Sequence, residues 1–374
     1  MPLREPRRRV LLLAWQGARA GIERHLTTLI RALPPRYEKA VAFLSAGGPI
    51  ADELAAEGIP VHVLGMRRSY DPRGGAAVQQ LVREGKFDLV HDHSTMAAAP
   101  ILWLGLAGVP LVVTEHLAMA QRRLDQRLSY RLLSRFVDRF IANSNATRAD
   151  LVAHGVAAER VCVVHHGLSS MPACNVMTAA AARAALGLAF APTAPIVGFV
   201  GRLEPEKGCR CFVQVVARVA TERPDARFVM VGDGSQRAAV VADIATAGLR
   251  DRVVLTGARA EVERVYPAFD VLVSSSQRET FGLAILEAMA AGVAVAAFNV
   301  GGVGELIDAE TGELVEAGDI AALADRVVAL LRDANRRLTL TTRARRVAER
   351  FTASRMAGEV AAVYDAVLSK RGQV

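Results

Sequence analysis

The sequence has few aromatic residues, few cysteines and no long apolar stretch. Aromatic residues make up 5% of the 374 positions, and no RNA-binding or zinc-finger motif accompanies the basic residues, which argues against a nucleic acid partner. The four cysteines form no CxxC pair and no cysteine–histidine spacing typical of zinc, so we expect a reduced, cytosolic chain. Without an apolar run of about 18–20 residues we expect no transmembrane helix. The short apolar run at residues 10–14 does not indicate a signal peptide.

The remaining composition is that of a folded protein of two domains. Apolar residues make up 52% of the chain, and the length is about that of two ordinary domains. The net charge of +8 lies mostly in residues 1–170, which hold 22 lysines and arginines against 15 aspartates and glutamates. A basic first half favours an anionic surface or partner.

Short apolar runs alternate with helical patterns along the whole chain, which predicts an α/β protein with parallel sheets. We expect two Rossmann-like domains that face each other across a cleft, with the ligand in that cleft. A segment rich in serine, proline and alanine at residues 167–186 is the expected linker. The predicted domains are residues 1–170 and 187–350, followed by a C-terminal helix from residue 351. The predicted strands are residues 10–14, 40–44, 61–64, 89–91, 111–114, 141–142, 196–200, 227–231, 253–256, 271–273 and 294–298.

The segment 270–292 carries the most specific chemistry. It is predicted to be a strand, a polar loop with Glu279, and a helix that begins near residue 281 or 282 and carries Glu287. In open parallel sheets, ligands bind at the carboxyl ends of the strands, and a helix N-terminus attracts anions. Carboxylates beside an anion site indicate a ligand that is both a phosphate ester and a polyol, such as a nucleotide sugar.

Arg202 and Lys207 lie five residues apart in a loop between a predicted strand and a predicted helix. Arginine can bind phosphate oxygens through two hydrogen bonds, and lysine adds a point charge. Together they could neutralise a diphosphate leaving group, a task that metals perform elsewhere. The chain has no Asp-x-Asp sequence, which argues against a metal-bridged diphosphate. The alternative is a charged surface turn.

Two histidines and two glycines mark the first half as a second binding region. His93 and His116 each follow a predicted strand, where site residues are expected, although either alone could be a structural loop residue. Gly17 and Gly21 flank the loop after the first strand, and glycines let a backbone approach a ligand closely. An ordinary strand–helix turn is the alternative.

Residues 119–140 are rich in arginine, and an apolar residue recurs every fourth position at Leu124, Leu128, Leu132 and Phe136. This pattern predicts one basic amphipathic helix. Such a helix could lie on an anionic membrane surface. It could equally be a solvated helix whose apolar stripe packs against the core.

The chain resembles the family 4 glycosyltransferases, retaining enzymes of the GT-B fold. Four pieces match in order and span most of the chain: the glycine loop with GIE at residues 21–23, GRLEPEKG at 201–208, ETFGLAILEAMAAG at 279–292 and GGVGEL at 301–306. Two positions depart from the pattern. Ala20 and Gly21 stand where many relatives have two glycines, and His166 and Gly167 stand where many have Asn-Gly.

The resemblance implies a role for each charged residue of the second half. Arg202 and Lys207 would hold the donor diphosphate, Glu279 would face the donor sugar, and Glu287 would hydrogen-bond the ribose hydroxyls. Sugar and phosphate would also contact the backbone of three residues at the helix start: Phe281, Gly282 and Leu283.

The resemblance also implies roles in the first half. Gly17 and Gly21 would let the first domain close on the phosphates. His116 would contact the donor sugar, and His93 would line the acceptor side. The terminal helix, residues 351–368, would cross back to the first domain.

We therefore expect a retaining glycosyltransferase that needs no metal or other cofactor and moves a sugar from a nucleotide-diphosphate sugar to a hydroxyl. The basic first half favours a glycan or lipid-linked acceptor in cell-surface polysaccharide biosynthesis, and a location in the cytoplasm or at the inner face of its membrane. The alternatives are a soluble small-molecule acceptor, a sugar-nucleotide epimerase, and a catalytically silent GT-B subunit that scaffolds a partner.

Overall fold

The computed structural model describes residues 7–18, 21–94, 97–118, 124–169 and 178–371, which form two α/β units. The first unit comprises Met1–Ser169 together with Thr352–Val374, and the second comprises Ser170–Phe351. Among the described residues, no helix combines the length and apolarity needed to span a membrane.

The first unit is built on a parallel sheet that has seven strands among the described residues, in the order β3-β2-β1-β4-β5-β6-β7. Its elements are β1 (Arg8–Gln16), α1 (Gly21–Ala32), β2 (Tyr37–Ala46), α2 (Pro49–Ala56), β3 (Val61–Val63), α3 (Pro72–Glu84), β4 (Leu89–Asp92), α4 (Ala98–Leu106), β5 (Leu111–Glu115), α5 (Leu124–Leu133), β6 (Arg139–Ala142), α6 (Asn145–Ala153) and β7 (Val161–Val163).

The second unit contains a six-stranded parallel sheet among the described residues, in the order β10-β9-β8-β11-β12-β13. Its elements are α7 (Ala179–Ala185), β8 (Ile196–Val200), α8 (Cys209–Glu222), β9 (Arg227–Val231), α9 (Arg237–Thr246), β10 (Val253–Gly257), β11 (Val271–Ser274), α10 (Leu283–Ala291), β12 (Ala294–Phe298), β13 (Glu313–Val315), α11 (Ile320–Arg332) and α12 (Ala334–Ala348).

Strand β1 shows why the sequence segments predicted as strands consist of consecutive apolar residues. Successive side chains of a strand point to opposite faces of the sheet. Val10, Leu12 and Ala14 pack in one hydrophobic cluster, whereas Leu11 and Leu13 pack in another. Because helices cover both faces, a central parallel strand has no side that can be polar.

Both sheets place neighbouring loops where the strand order reverses. In the first unit the order reverses between β1 and β4, which brings the loop after β1 next to the segment after β4, and β4 also pairs with β5. In the second unit β8 pairs with β11, which brings the loop after β8 next to the loop after β11. Ligands bind at such topological switch points.

The C-terminal helix, α13 (Ala353–Arg371), packs on the first unit. Tyr364 is fully buried and lies within hydrogen-bond distance, 2.6 Å, of His91 Nδ1. The Tyr37 hydroxyl donates to Asp365 Oδ1 at 2.6 Å. Burial, followed by the hydrogen bond with Asp365, raises the pKa of Tyr37 to about 12.

The prediction of one helix over residues 119–140 is wrong. Helix α5 ends at Leu133, a 3-10 turn follows at Ser134–Phe136, and β6 begins at Arg139, because the apolar residues after the turn pair as a strand between β5 and β7. Leu132 of the predicted apolar stripe is 60% exposed, whereas Tyr130 is buried. Residues 119–123 and the side chains of Leu124 and Leu128 lie outside the described residues.

Other differences concern short elements. Helix α7 lies inside the segment predicted as a linker, while residues 170–177 of that segment lie outside the described residues. Strands β7 and β13 have three residues each and were not predicted. The helix expected near residue 281 or 282 begins at Leu283, with Gly282 as its N-cap. The predicted bounds of β8, β9 and β12 agree with the structure.

Candidate active site

The loop at residues 201–208 is held rigidly against its neighbours in the second unit. Leu203 is fully buried, and its N–H donates to the Asp233 carbonyl at 2.9 Å. Gly208 ends the loop with φ of 63°, and a Cβ there would lie 1.8 Å from the Ser275 carbonyl oxygen. Only glycine fits this left-handed position against another backbone. The loop that carries Arg202 and Lys207 is therefore fixed to the loop after β11.

The structure brings Lys207 and Glu279 together. Lys207 Nζ donates to Glu279 Oε2 at 2.6 Å, and the two side chains are 26% and 15% exposed. The Arg202 guanidinium instead pairs with Glu206 at 2.6 Å and is 54% exposed. An exposed ion pair contributes little to stability, so Arg202 can exchange Glu206 for a phosphate at small cost. Lys207 is the better-positioned cation.

The backbone of Glu279 is held by the GGVGEL segment. Gly301 has φ of 53°, and a Cβ there would lie 1.8 Å from the Glu279 carbonyl oxygen. The Gly302 N–H donates to that same oxygen at 3.2 Å. The glycines that carried the family resemblance therefore have a structural role that the sequence did not reveal, which is to position Glu279.

Helix α10 starts next to Glu279 in the chain. Gly282 caps it with φ of 105°. The Phe281 side chain is 1% exposed, and its ring lies 5.8 Å from that of Phe351. The Phe281 ring is therefore core, so a ligand contact at this position would have to use the backbone, as predicted. The amino end of α10 adds a positive electrostatic potential beside Lys207.

Glu287 lies within α10, eight residues after Glu279, and is 7% exposed. Its Oε2 accepts a hydrogen bond from the Tyr266 hydroxyl at 2.5 Å. Tyr266 is fully buried, in a 3-10 turn at Tyr266–Ala268, and a buried tyrosine generally places its hydroxyl on a partner. Tyr266, which orients Glu287, was not predicted from the sequence. The role of Glu287 toward a ribose stays a prediction.

In the first unit, Gly17 contributes to packing between two strand–helix turns. Its carbonyl accepts from Ile50 N at 3.1 Å, and a Cβ on Gly17 would lie 3.2 Å from the Gly47 backbone. Gly21 differs, because it is the first residue of α1, is exposed and has open space where a Cβ would lie. Their predicted role toward donor phosphates stays a prediction.

The predicted pair of histidines belongs to a larger cluster. His93 Nδ1 and His116 Nε2 lie 3.1 Å apart, at hydrogen-bond distance. The His25 ring centroid lies 5.5 Å from that of His93 and 5.1 Å from that of His116. The His166 ring stacks on His116 at 5.6 Å and lies 4.1 Å from His25. His91 lies 4.0 Å from His93 and is held between Tyr364 and Thr114.

The five imidazoles form a neutral cluster. Each is at most 7% exposed. Burial, followed by repulsion from the neighbouring imidazoles, lowers the pKa of every one of them well below 6.5. A neutral imidazole has one donor and one acceptor nitrogen. The cluster therefore suits hydrogen bonding to sugar hydroxyls and, at His25, His93 and His116, metal binding.

Sequence reasoning missed three members of this cluster. His25 comes from α1, His91 from β4 and His166 from the segment after β7. No local spacing connects them, because they meet only through the order of the strands in the sheet. The available signal was that His91, like His93 and His116, lies at the end of an expected strand, and that His25 lies four residues after Gly21.

Comparison with known proteins agrees with this geometry. Residues 19–170 match the model of the family described as Glycosyltransferase Family 4, and residues 194–333 match that of Glycosyl transferases group 1. The chain is 30% identical over 390 residues to D-inositol 3-phosphate glycosyltransferase of Nocardia farcinica, covering 96% of this chain and 84% of the relative. It is 42% identical over 180 residues to 2-deoxystreptamine glucosyltransferase of Streptomyces kanamyceticus, a match that covers 47% of this chain and 46% of the relative.

The fold is likewise shared with solved structures. The crystal structure of Anabaena Alr3699/HepE in complex with UDP-glucose superposes with a TM-score of 0.83 at 25% identity, covering 96% of this chain and 99% of that one. The predicted family and fold are both confirmed. The chain belongs to glycosyltransferase family 4, has the GT-B fold and is a glycosyltransferase that uses a nucleotide sugar donor.

Proposed function

We propose that this enzyme transfers a sugar from a nucleoside diphosphate sugar to a hydroxyl of a small cyclic polyol, with retention at the anomeric carbon and without a metal that bridges the diphosphate. The observation that carries the proposal is the contact of Lys207 with Glu279 at 2.6 Å. The loops that carry these two residues are held in place by close backbone packing at Gly208 and Gly301. A cation and a carboxylate are thereby placed beside the amino end of α10.

The leaving group needs the cations. As the bond from the anomeric carbon to the diphosphate breaks, negative charge grows on the phosphate oxygens. Lys207, Arg202 and the amino end of α10 stabilise that charge more strongly in the transition state than in the ground state. The Lys207 ammonium also turns from Glu279 toward the phosphates, which leaves the carboxylate available to the sugar.

The acceptor hydroxyl attacks on the face from which the diphosphate departs. Its oxygen forms the new bond to the anomeric carbon, and its proton passes to an oxygen of the departing phosphate, so charge and atoms balance without a covalent enzyme intermediate. Glu279, which pairs with Lys207 in the structure, serves as a hydrogen-bond acceptor for sugar hydroxyls once Lys207 has turned toward the phosphates. His116 and His93, both neutral, are proposed for the donor sugar and for the acceptor side respectively.

Metal independence rests on the absence of Asp-x-Asp from the sequence and on the two cations that replace a metal charge. Chelator-treated enzyme should transfer sugar at the same rate with and without added Mg²⁺ or Mn²⁺. A dependence of the rate on either metal ion would contradict this part of the proposal.

The acceptor class is supported by the named relatives. One is a D-inositol 3-phosphate glycosyltransferase and another a 2-deoxystreptamine glucosyltransferase, and both named acceptors are substituted cyclohexane polyols. The sequence favoured a glycan or lipid-linked acceptor and peripheral binding to the cytoplasmic face of the membrane. One observation now argues against that alternative. The arginine-rich segment is not one continuous amphipathic helix.

The decisive experiment is a transfer assay in two stages. Thermal-shift screening against nucleoside diphosphates and their sugars first identifies the donor, because a ligand that binds the folded state raises the melting temperature. Transfer to inositol phosphates, aminocyclitols or a lipid-linked glycan in anionic vesicles is then measured, and NMR of the product reports the anomeric configuration. Product formed only with the cyclitols supports the proposal. Product formed only with the lipid-linked glycan would show that the acceptor is a glycan and not a cyclic polyol.

A matched pair of variants tests the site. Lys207→Ala should lower kcat/KM by about 10²–10³-fold, the usual loss for one preorganised electrostatic contact. Arg210→Ala, which removes an equally short ion pair with Asp243 on the exposed side of α8, should retain wild-type transfer. Equal activity of both variants would remove Lys207 from the mechanism. Conversion of the donor sugar without any acceptor would indicate an epimerase instead.

A further inference from the structure

We propose that His25, His93 and His116 form a binding site for a divalent transition metal ion of the zinc type in the first unit. Each of the three residues offers one ring nitrogen, and these nitrogens all lie within 4.8 Å of one another. All three side chains are at most 7% exposed. The group comes from three different elements, α1, the end of β4 and the end of β5, so the sheet itself holds it together.

The geometry needs only a small adjustment. Zn–N bonds are about 2.0–2.1 Å long, so two nitrogens on one tetrahedral zinc ion lie about 3.4 Å apart. His93 Nδ1 and His116 Nε2 are already 3.1 Å apart. The His25 ring, with centroid distances of 5.1 and 5.5 Å to the other two, can complete the set by rotation of its side chain.

The hydrogen-bonding state of the cluster also fits a ligand. His25 Nδ1 is buried and has no hydrogen-bond partner among the described residues. A buried polar nitrogen without a partner costs free energy.

The donor set defines the class of metal. Three imidazole nitrogens favour Zn²⁺, Co²⁺, Ni²⁺ or Cu²⁺ over Mg²⁺ and Ca²⁺, which prefer oxygen. Three protein ligands leave a fourth coordination position, and His166 is the neighbouring side chain, 4.1 Å from His25 between ring centroids. The three imidazoles belong to the first unit, whereas the cations proposed for the diphosphate belong to the second.

Metal binding has a consequence that rests on the proposed function. His93 and His116 are proposed for the acceptor side and for the donor sugar, so a metal ion on the same imidazoles would compete with the sugars. Micromolar Zn²⁺ should therefore inhibit transfer by the wild-type enzyme. Inhibition that persists unchanged in His25→Gln would contradict this consequence.

The site itself is tested without donor or acceptor. The full chain, freed of any histidine tag and stripped with chelator, is titrated with Co²⁺. We expect one equivalent to bind with the visible absorption of tetrahedral cobalt, and Zn²⁺ to displace it. His25→Gln should weaken Co²⁺ binding by at least about 100-fold, given that even indirect partners of metal ligands contribute about 10–100-fold. His62→Gln, on β3 outside the cluster, should bind like the wild type.

Two results would contradict the proposed site. The wild-type chain could fail to bind one equivalent of Co²⁺, or His25→Gln could bind Co²⁺ as tightly as the wild type. Thermal unfolding of the metal-free variant establishes that it folds. Should it not fold, the imidazole ¹⁵N resonances of the wild type decide. Zn²⁺ should shift those of His25, His93 and His116, and unchanged resonances would contradict the proposal.

Discussion

The two units build their candidate sites in opposite ways. In the second unit, charged side chains such as Lys207 and Glu279 stand on loops that glycines lock to one another, and they remain partly exposed. In the first unit, five imidazoles are packed side by side and kept from water. The charges of Lys207 and Glu279 persist because water and the ion pair stabilise them, whereas burial keeps the five imidazoles neutral.

The difference matches the chemistry that each site is suited to. A diphosphate leaving group requires permanent positive charge, which arginine and lysine provide. Sugar hydroxyls and transition metal ions can both be bound by neutral imidazoles, which offer a donor and an acceptor nitrogen at defined directions. A glycosyltransferase needs the first kind of site for its donor phosphates and can use the second for sugars.

The largest expected effect is a loss of stability in acid that arises in the first unit. The unfolded chain binds protons at its histidines near pH 6.5, whereas the buried imidazoles have lowered pKa values and stay neutral. Stability is therefore complete above about pH 7.5 and falls as the pH drops below 6.5. At about pH 5.5 each imidazole that stays neutral lowers the free energy of unfolding by about 1.4 kcal/mol relative to pH 7.5. The summed loss over the cluster is therefore larger than the effect expected of any single substitution below. Thermal unfolding of metal-free protein at both pH values measures it.

Two variants show whether the cluster causes that loss. His25→Gln removes one buried imidazole and should reduce the pH dependence by about 1.4 kcal/mol. His62→Gln replaces a partly exposed histidine outside the cluster and should retain the wild-type dependence. An equal reduction in both variants would show that burial of the cluster does not cause the pH dependence.

The next largest effect concerns the glycines of the second unit. Gly301→Ala should destabilise the protein by more than the roughly 1–2 kcal/mol of left-handed strain alone, because the new Cβ collides with the Glu279 carbonyl. It should also weaken donor binding, since Glu279 must move. Gly318→Ala is the control, with φ of 88° and open space around the Cβ. Differential scanning calorimetry and isothermal titration with the donor nucleotide separate the two effects.

If Gly301→Ala and Gly318→Ala lost the same stability and bound the donor equally well, the close packing would not position Glu279. The second site would then depend on its side chains alone, as the first does, and the contrast between the units would disappear.

The smallest expected effect is at Tyr266. Tyr266→Phe removes the hydrogen bond to Glu287 and should reduce donor affinity by about 1 kcal/mol, the typical net contribution of one hydrogen bond. Tyr37→Phe removes a comparable contact to Asp365 in the first unit and should leave donor affinity unchanged. Titration calorimetry of both variants provides the comparison, and an equal loss in the two would remove Tyr266 from the donor site.

The candidate donor residues of the second unit could be proposed from the sequence because they are local. Arg202 and Lys207 share one loop, and Glu279 and Glu287 share one strand–loop–helix segment, so spacing and turn chemistry identified them. The alternation of apolar runs with helical patterns likewise predicted both parallel sheets, since strand and helix periods are properties of short segments. The family resemblance rested on the same local pieces.

Contacts between distant segments required the tertiary structure. His25, His93 and His116 meet because β4 lies between β1 and β5 in the sheet, an order that no local pattern specifies. The same applies to Gly301 against Glu279 and to Tyr266 on Glu287. The arginine-rich segment gave a helical period, yet it turns into β6 because pairing with β5 and β7 stabilises a strand there. Local periodicity thus determined the elements, whereas strand order and burial decided which side chains meet and which remain charged.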